Sequence, residues 1–558
     1  SYDCVTPSPD PNFSCVARNV DITPYANAPM NVQNADGKTE SIIFNGGSGG
    51  ENVYAYSGNA YASTGTPLPP ATVSNSAAHW VSKNTVLYNP PSGTAQVEML
   101  FSPDASIVAG PGGIAGTFQV IATASGTNPK PAFNNLLHNH AAWTLQGVTD
   151  TSVKDIARGQ LVVVARDGNG KILASTRVQS AGALDDIYAA NADGKTLGVT
   201  YASGVPSLAV WAPTALKTPK VSVNVYDDPA AATPEIVPME LDEASGVWSV
   251  TGTADWNLKY YTISLRVFSY ATNSIVNNEV TDPYSVSLSM NSTRSQFVNL
   301  DDPALKPTDW DAMEQPDNIE APEDVAIYEL HVRDFSIADG TVPAGDKGKF
   351  TAFDPGIMTA GRQHLQQLAE AGLTHVHILP AFDIATIEEN AAERVDLDTP
   401  DGVNKLCQKN PDAASLCATD GGKTIRKAIE DAIAANQLEK PPQIMQWIRQ
   451  LDGFNWGYDP FHFGVPEGSY STNPDGPARI LEFRRMVKGL NDLGLRTAMD
   501  VVYNHTNRSG QDPKSVLDRI VPGYYHRRDI TNGAVTSGTC CADTATEFKM
   551  VEKLMVDT

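Results

Sequence analysis

At 558 residues the chain is too long for a single hydrophobic core and must hold several domains. Its 40 basic residues against 64 acidic ones leave a net charge of −24, which argues against nucleic acid or anionic membranes as partners but would not repel an uncharged polymer. No apolar run approaches the ~20 residues needed to span a bilayer, and the opening SYDCVTPSPDPNFSC lacks the charged and apolar regions of a signal peptide, so any leader was removed or lies upstream.

Residues 1–75, rich in Gly, Asn, Ser, Thr and Pro, read as a loop-rich segment running into the linker-like TGTPLPPATVSNS (64–76). From AHWV (78–81) the pattern turns to short β runs. The clearest is a hairpin of GQLVVVARD (159–167) and KILASTRV (171–178) around Gly168, Asn169 and Gly170. A second β unit runs from SLAVWAP (207–213) through KVSVNVYDD (220–228), GVWSVTG (246–252) and YYTISLRVFSY (260–270) to TDPYSVSL (281–288). This spacing predicts tandem β-sandwich modules of immunoglobulin-like type over 76–195 and 196–305. Trp211, in an apolar strand, reads as core.

After the Pro- and Asp-rich stretch 301–318 the pattern changes. VAIYELHV (325–332), THVHILP (374–380) and LRTAMDVV (495–502) read as buried strands. GRQHLQQLAEAGL (361–373) reads as a helix with Leu365, Leu368 and Ala369 on one face. Phe483, Met486, Val487 and Leu490 mark another helix, ending near Gly494. Alternating strands and helices over 320–558 predict a parallel sheet. An insertion over about 384–454 carries a predicted helix near 423–436.

The six cysteines fall as close pairs, Cys4 with Cys15, Cys407 with Cys417 and Cys540 with Cys541, none at zinc-site spacing. Three local disulfides are the expectation, and with them an oxidising compartment. The vicinal pair Cys540–Cys541 also reads as two free thiols, because adjacent cysteines close only a strained ring.

DVVYNHT (500–506) follows the third strand, where a βα fold presents polar residues to its ligand crevice. Asp500, Asn504 and His505 project there, or serve as turn caps and a surface His. NWGYDPFHF (455–463) packs aromatics among Gly, Asp and Pro, a rigid loop that offers flat faces to a sugar ring or anchors itself.

Taken in order, ELHVRDFS (329–336), THVHILPAFDIATI (374–387), NWGYDPFHF and DVVYNHT resemble the first half of a glycoside hydrolase family 13 barrel, in its pullulanase and limit-dextrinase branch. This resemblance implies that 320–558 holds the first three strands of a (β/α)8 TIM barrel. LAVWAP and TDPYS resemble a carbohydrate-binding-module-48-type domain. AHWV with VQSAGALDDIYAA (178–190) is similar to the pullulanase N2 domain. Residues 1–75 carry no assignable motif.

The resemblance implies that Tyr458 stacks under the sugar, His505 bonds one of its hydroxyls, Asp500 braces the charged network around the nucleophile and Asn504 supports the loop. None of these is the nucleophile or proton donor. Retaining glycosidases place two such carboxylates about 5–5.5 Å apart, and the family carries them on later strands. The G-F-R-F-D-type motif of the nucleophile is absent, so no catalytic residue is expected before Thr558 and the 558-residue chain is expected to be inactive alone.

The implied function is α-1,6-glucan debranching of pullulan, starch or glycogen limit dextrins by retaining double displacement, in an enzyme secreted or held at a bacterial cell surface. Alternatives are an isoamylase or branching enzyme, or a carbohydrate-binding protein with an incomplete barrel. No cofactor is required. A structural Ca2+ is common in the superfamily, but no ligand set for it can be picked out.

Overall fold

A computed structural model of the protein describes residues 73 and 75–558 except 111–112, 132–133, 317–318, 450 and 539. It also describes the backbone of four short strands between 29 and 62. Those strands pair locally, Pro29–Gln33 with Thr39–Ile43 and Val53–Tyr56 with Asn59–Ala62. The expected Cys4–Cys15 bridge lies outside the described residues.

The first module closes on itself. Its strands are β1 (Ala78–Ser82), β2 (Thr85–Leu87), β3 (Gln96–Ser102), β4 (Gln119–Gly126), β5 (Ala142–Leu145), β6 (Gln160–Arg166) and β7 (Ile172–Gln179). They form a closed barrel in the order β4-β5-β2-β1-β7-β6-β3. This corrects the sandwich expected for 76–195: β3 pairs with both β4 and β6, and β7 runs parallel to β1, so the sheet keeps no free edge. The predicted hairpin joins β6 to β7, with Asp167 Oδ1 accepting from Asn169 and Lys171 backbone N–H groups and Gly170 at φ 81°. The apolar run of β6 is continuous because both its faces are covered. Leu161, Val163 and Ala165 join the core of Trp80 and Met99, whereas Val162 and Val164 pack with Leu100 and Ile107.

The second module has two sheets. Its strands are β8 (Gly198–Ala202), β9 (Val205–Trp211), β10 (Ser222–Tyr226), β11 (Glu235–Pro238), β12 (Glu240–Asp242), β13 (Val247–Thr251), β14 (Tyr260–Ser269) and β15 (Ser274–Val280). One sheet runs β8-β9-β13-β12 and the other β11-β10-β14-β15, with Ser295–Gln296 added against β14. Leu208, Val210 and Trp248 of the first sheet share a core with Val223, Ile263 and Val267 of the second. Trp80, Trp211 and Trp248 are fully buried, which makes them core residues and removes them as ligand platforms.

The third unit holds a parallel sheet of β16 (Ile327–Leu330), β17 (His375–Ile378) and β20 (Arg496–Met499), in register Leu330↔Ile378↔Met499. Between them, β18 (Phe382–Ile384) pairs with β19 (Pro460–Pro466). Helix α1 (Ala360–Glu370) buries Leu365 and is capped by Thr359, whose hydroxyl accepts from Arg362 N–H. In the insertion, α2 (Gly402–Lys409), α3 (Ala414–Asp420), α4 (Ile425–Ala434) and α5 (Lys440–Ile448) surround their own core of Val403, Leu406, Leu416, Ile425 and Ile444. Cys407 and Cys417 are disulfide-bonded across α2 and α3. Helix α6 (Ala478–Asn491) buries Met486 and Leu490, and Gly494 at φ 79° turns the chain into β20. Gly489 lies so close to the Phe353 carbonyl that a Cβ there would stand 1.9 Å from it, which fixes α6 tightly against the segment before α1. Helix α7 (Lys549–Asp557) follows the short ladder of β21 (His505–Thr506) and β22 (Ala542–Asp543).

Candidate functional site

The carboxyl ends of β17 and β20 carry the loops that assemble the candidate site. Chain 455–459 is held in place from several sides. Asn455 Nδ2 donates to Thr386 Oγ1 at 2.7 Å, and that hydroxyl donates to Asp459 Oδ2 at 2.6 Å. The Asp459 carbonyl accepts from Ala385 N–H, and its Oδ1 accepts from Asn507 Nδ2 at 3.1 Å. Gly457, at φ 89°, sits against Pro380, whose carbonyl would be 2.5 Å from any Cβ placed there. Only glycine combines that backbone angle with that approach.

On this frame Phe454, Trp456 and Tyr458 are respectively 42%, 63% and 36% exposed, a run of alternate aromatics open to solvent. The Tyr458 hydroxyl donates to Asp500 Oδ2 at 2.5 Å. That bond, together with some burial, pushes the phenol up to about 12, so it stays a neutral donor at physiological pH.

Sequence reasoning gave His505 to a sugar hydroxyl, but the structure gives its Nε2 a partner in the chain, the Tyr458 carbonyl at 2.9 Å. His505 is buried, and its Nδ1 faces no partner. It braces the backbone at Tyr458. Asn504 contributes through its main chain: its carbonyl accepts from Thr544 N–H while its side chain is exposed. Tyr458, Asp500 and His505 therefore form one connected group, and Asn504 ties it to the 536–544 loop. Cys540 and Cys541 in that loop are free thiols, which corrects the expected bridge. Adjacent cysteines can join only through a strained ring, and here Cys540 Sγ instead lies 3.5 Å from His505 Nε2. Burial, and then the neighbouring Cys540, push the Cys541 thiol up to about 12.

Behind the loops lies a buried ionic cluster that the sequence did not disclose. Asp383 Oδ2 is bonded to His462 Nδ1 at 2.6 Å, and His462 Nε2 pairs with Thr281 Oγ1 at 2.7 Å. Ser292 donates to Asp383 Oδ1 at 2.6 Å, and fully buried Arg479 reaches Glu389 Oε2 at 3.2 Å. Burial raises the Glu389 carboxyl to about 8; Arg479 opposes this, and Glu467 and Asp383 add to it. The cluster locks Thr281 and Ser292 of the second module to the strands that carry the site. Asp383 and His462 stood inside motifs already singled out, but nothing in the spacing pairs them with residues of the TDPYS region.

Residues 75–186 match the Pullulanase N2 domain family. Pullulanase from Klebsiella pneumoniae is 38% identical over 496 residues, covering 86% of this chain and 44% of that protein. The chain is a homologue of the pullulanases. The chloroplastic pullulanase 1 of Arabidopsis thaliana is 35% identical over 86% of this chain and 46% of its own length. Among solved structures, PulA from Klebsiella oxytoca superposes with a TM-score of 0.80 at 38% identity, over 87% of this chain and 46% of that one. The K. pneumoniae pullulanase complexed with maltotriose gives a TM-score of 0.79 at 36% identity, over 87% and 46%. The chain thus spans less than half the length of these pullulanases.

Proposed function

We propose that this chain carries the substrate-holding wall of a debranching glycosidase that cleaves α-1,6-glucosidic bonds in pullulan-like and starch-like glucans. The observation that carries the reading is the connected group Tyr458–Asp500–His505 beside exposed Trp456 and Phe454, in a homologue of pullulanases, one of them crystallised with maltotriose. Aromatic rings offer a sugar its apolar contact, and their polar edges fix its orientation.

The mechanism is retaining double displacement. The nucleophile and acid belong to strands following β20, and Asp500 serves as a fixed negative charge beside them. No cofactor takes part. The Cys407–Cys417 bridge supports an extracytoplasmic location.

The test is calorimetric titration of the 558-residue chain with maltotriose and with an α-1,6-linked dextran oligomer lacking maltotriose units, repeated on Tyr458→Ala. Selective maltotriose binding that the substitution abolishes supports the reading. Equal binding by both proteins ends it.

A further inference from the structure

We propose that His505, Cys540 and Cys541 form a binding site for a thiophilic metal ion of the Zn2+ and Cd2+ class. The ligand atoms of these three residues all lie within 4.8 Å of one another. In a tetrahedral zinc site with legs of ~2.3 Å to sulfur and ~2.0–2.1 Å to nitrogen, a sulfur and a nitrogen ligand stand ~3.5 Å apart. Cys540 Sγ and His505 Nε2 are separated by 3.5 Å.

The loop that presents the thiols is already shaped. β22 pairs with β21 in the register His505↔Asp543, and Thr544 N–H donates to the Asn504 carbonyl. Both Asp543 carboxylate oxygens accept from Gly538 N–H at 2.9 Å, and Oδ2 also accepts from Thr536 Oγ1 at 2.8 Å. The cysteines are therefore held against His505 by backbone pairing that does not involve them. Two thiolates and one imidazole are a donor set for soft or borderline cations and a poor one for Ca2+ or Mg2+. Three protein ligands also leave the fourth position open to water.

Binding displaces one proton from each thiol into solvent, and the imidazole proton moves from Nε2 to Nδ1, so the metal meets the Nε2 lone pair. Because binding displaces these protons, occupancy falls as pH is lowered. Nε2 is the atom that bonds the Tyr458 carbonyl. A bound metal therefore releases the backbone under Tyr458 and weakens glucan binding. This consequence rests on the proposed function, whereas the metal site itself does not.

The experiment uses the 558-residue chain with the Cys407–Cys417 bridge intact and Cys540 and Cys541 as thiols, titrated separately with Cd2+ and Zn2+. The expected result is a cadmium–thiolate absorbance that saturates at one equivalent, with two protons released per metal. Zn2+ should slow alkylation of both Cys540 and Cys541, located by peptide mass spectrometry, by about tenfold or more. Cys541→Ser and His505→Gln should each weaken Cd2+ binding by about tenfold or more. The alkylation readout needs only the unaltered chain, so it decides the matter even if a variant fails to fold. Absence of the absorbance band, protection of only one cysteine, or unchanged affinity in Cys541→Ser overturns the proposal. Maltotriose titration with and without Zn2+ then tests the consequence on its own: metal bound with glucan affinity unchanged keeps the site and removes only its link to Tyr458.

Discussion

Tyr458 donates its hydroxyl to Asp500 across 42 residues of sequence, while its own carbonyl is held by His505. One residue is thus fixed at both its side chain and its main chain by the segment that leaves the third parallel strand. Tyr458→Phe keeps the ring and loses the side-chain bond, so maltotriose affinity should fall by about fivefold, the equivalent of one hydrogen bond. Tyr458→Ala should lose more, because the ring goes too. Calorimetric titration separates the two, and identical losses would show that the ring face contributes nothing.

Gly457→Ala probes the loop from its backbone. The angle of 89° and the Pro380 carbonyl 2.5 Å from the new methyl mean that the segment must move. The expected cost exceeds about 1 kcal/mol in urea unfolding, with a parallel loss of maltotriose binding because Tyr458 is the next residue. Unchanged binding would mean that the loop tolerates displacement.

Trp456 is the most exposed aromatic of the run, so it should matter to ligand and little to the fold. Trp456→Ala should weaken maltotriose binding with the unfolding midpoint unchanged. Trp211→Ala should do the reverse, because that ring is buried beside Tyr524 at 4.7 Å and its removal costs about 3–5 kcal/mol.

Asp518 is fully buried and accepts from Gly510 N–H, Gly523 N–H and Arg528. Burial works against its charge, but the Arg528 guanidinium and His526 prevail and hold the carboxyl well below the usual range. A depressed folded pKa contributes stability that is complete above the unfolded value near 4 and lost as pH falls through the folded one. Asp518→Asn should therefore destabilise the chain by about 3–5 kcal/mol at neutral pH. It should also lessen the decline in stability below about pH 4. Denaturant unfolding at a series of pH values measures both.

Asp282 gives the opposite sign. Burial raises its carboxyl to about 6, despite bonds from Tyr284 N–H and Tyr261. Its stabilising contribution is present below the unfolded pKa near 4 and disappears as pH rises through about 6. Asp282→Asn should flatten that part of the stability profile, removing a fall of about 3 kcal/mol. A wild-type profile already flat between those values would refute the assignment.

Local features were legible wherever neighbours in sequence carry them. The 167–171 turn needs Asp167 to accept nearby N–H groups and a glycine at positive φ, and both are adjacent in the chain. The three parallel strands announce themselves through apolar runs separated by amphipathic helices, and Cys407 and Cys417 lie ten residues apart. The order of motifs from ELHVRDFS to DVVYNHT was enough to indicate pullulanase kinship, which the comparisons show.

Tertiary structure alone decided what depends on closure and burial. Alternating strands read the same in a sandwich and in a barrel, and only the pairing of β3 with both β4 and β6 closes the first module. Likewise, the bond between Thr281 and His462 crosses 181 residues, and Asp383 meets Arg479 only in the buried space they share. Side-chain chemistry is written locally, but partners and dielectric are set by the whole fold. For that reason His505 could be named from its motif, while its hold on Tyr458 and its place beside Cys540 could not.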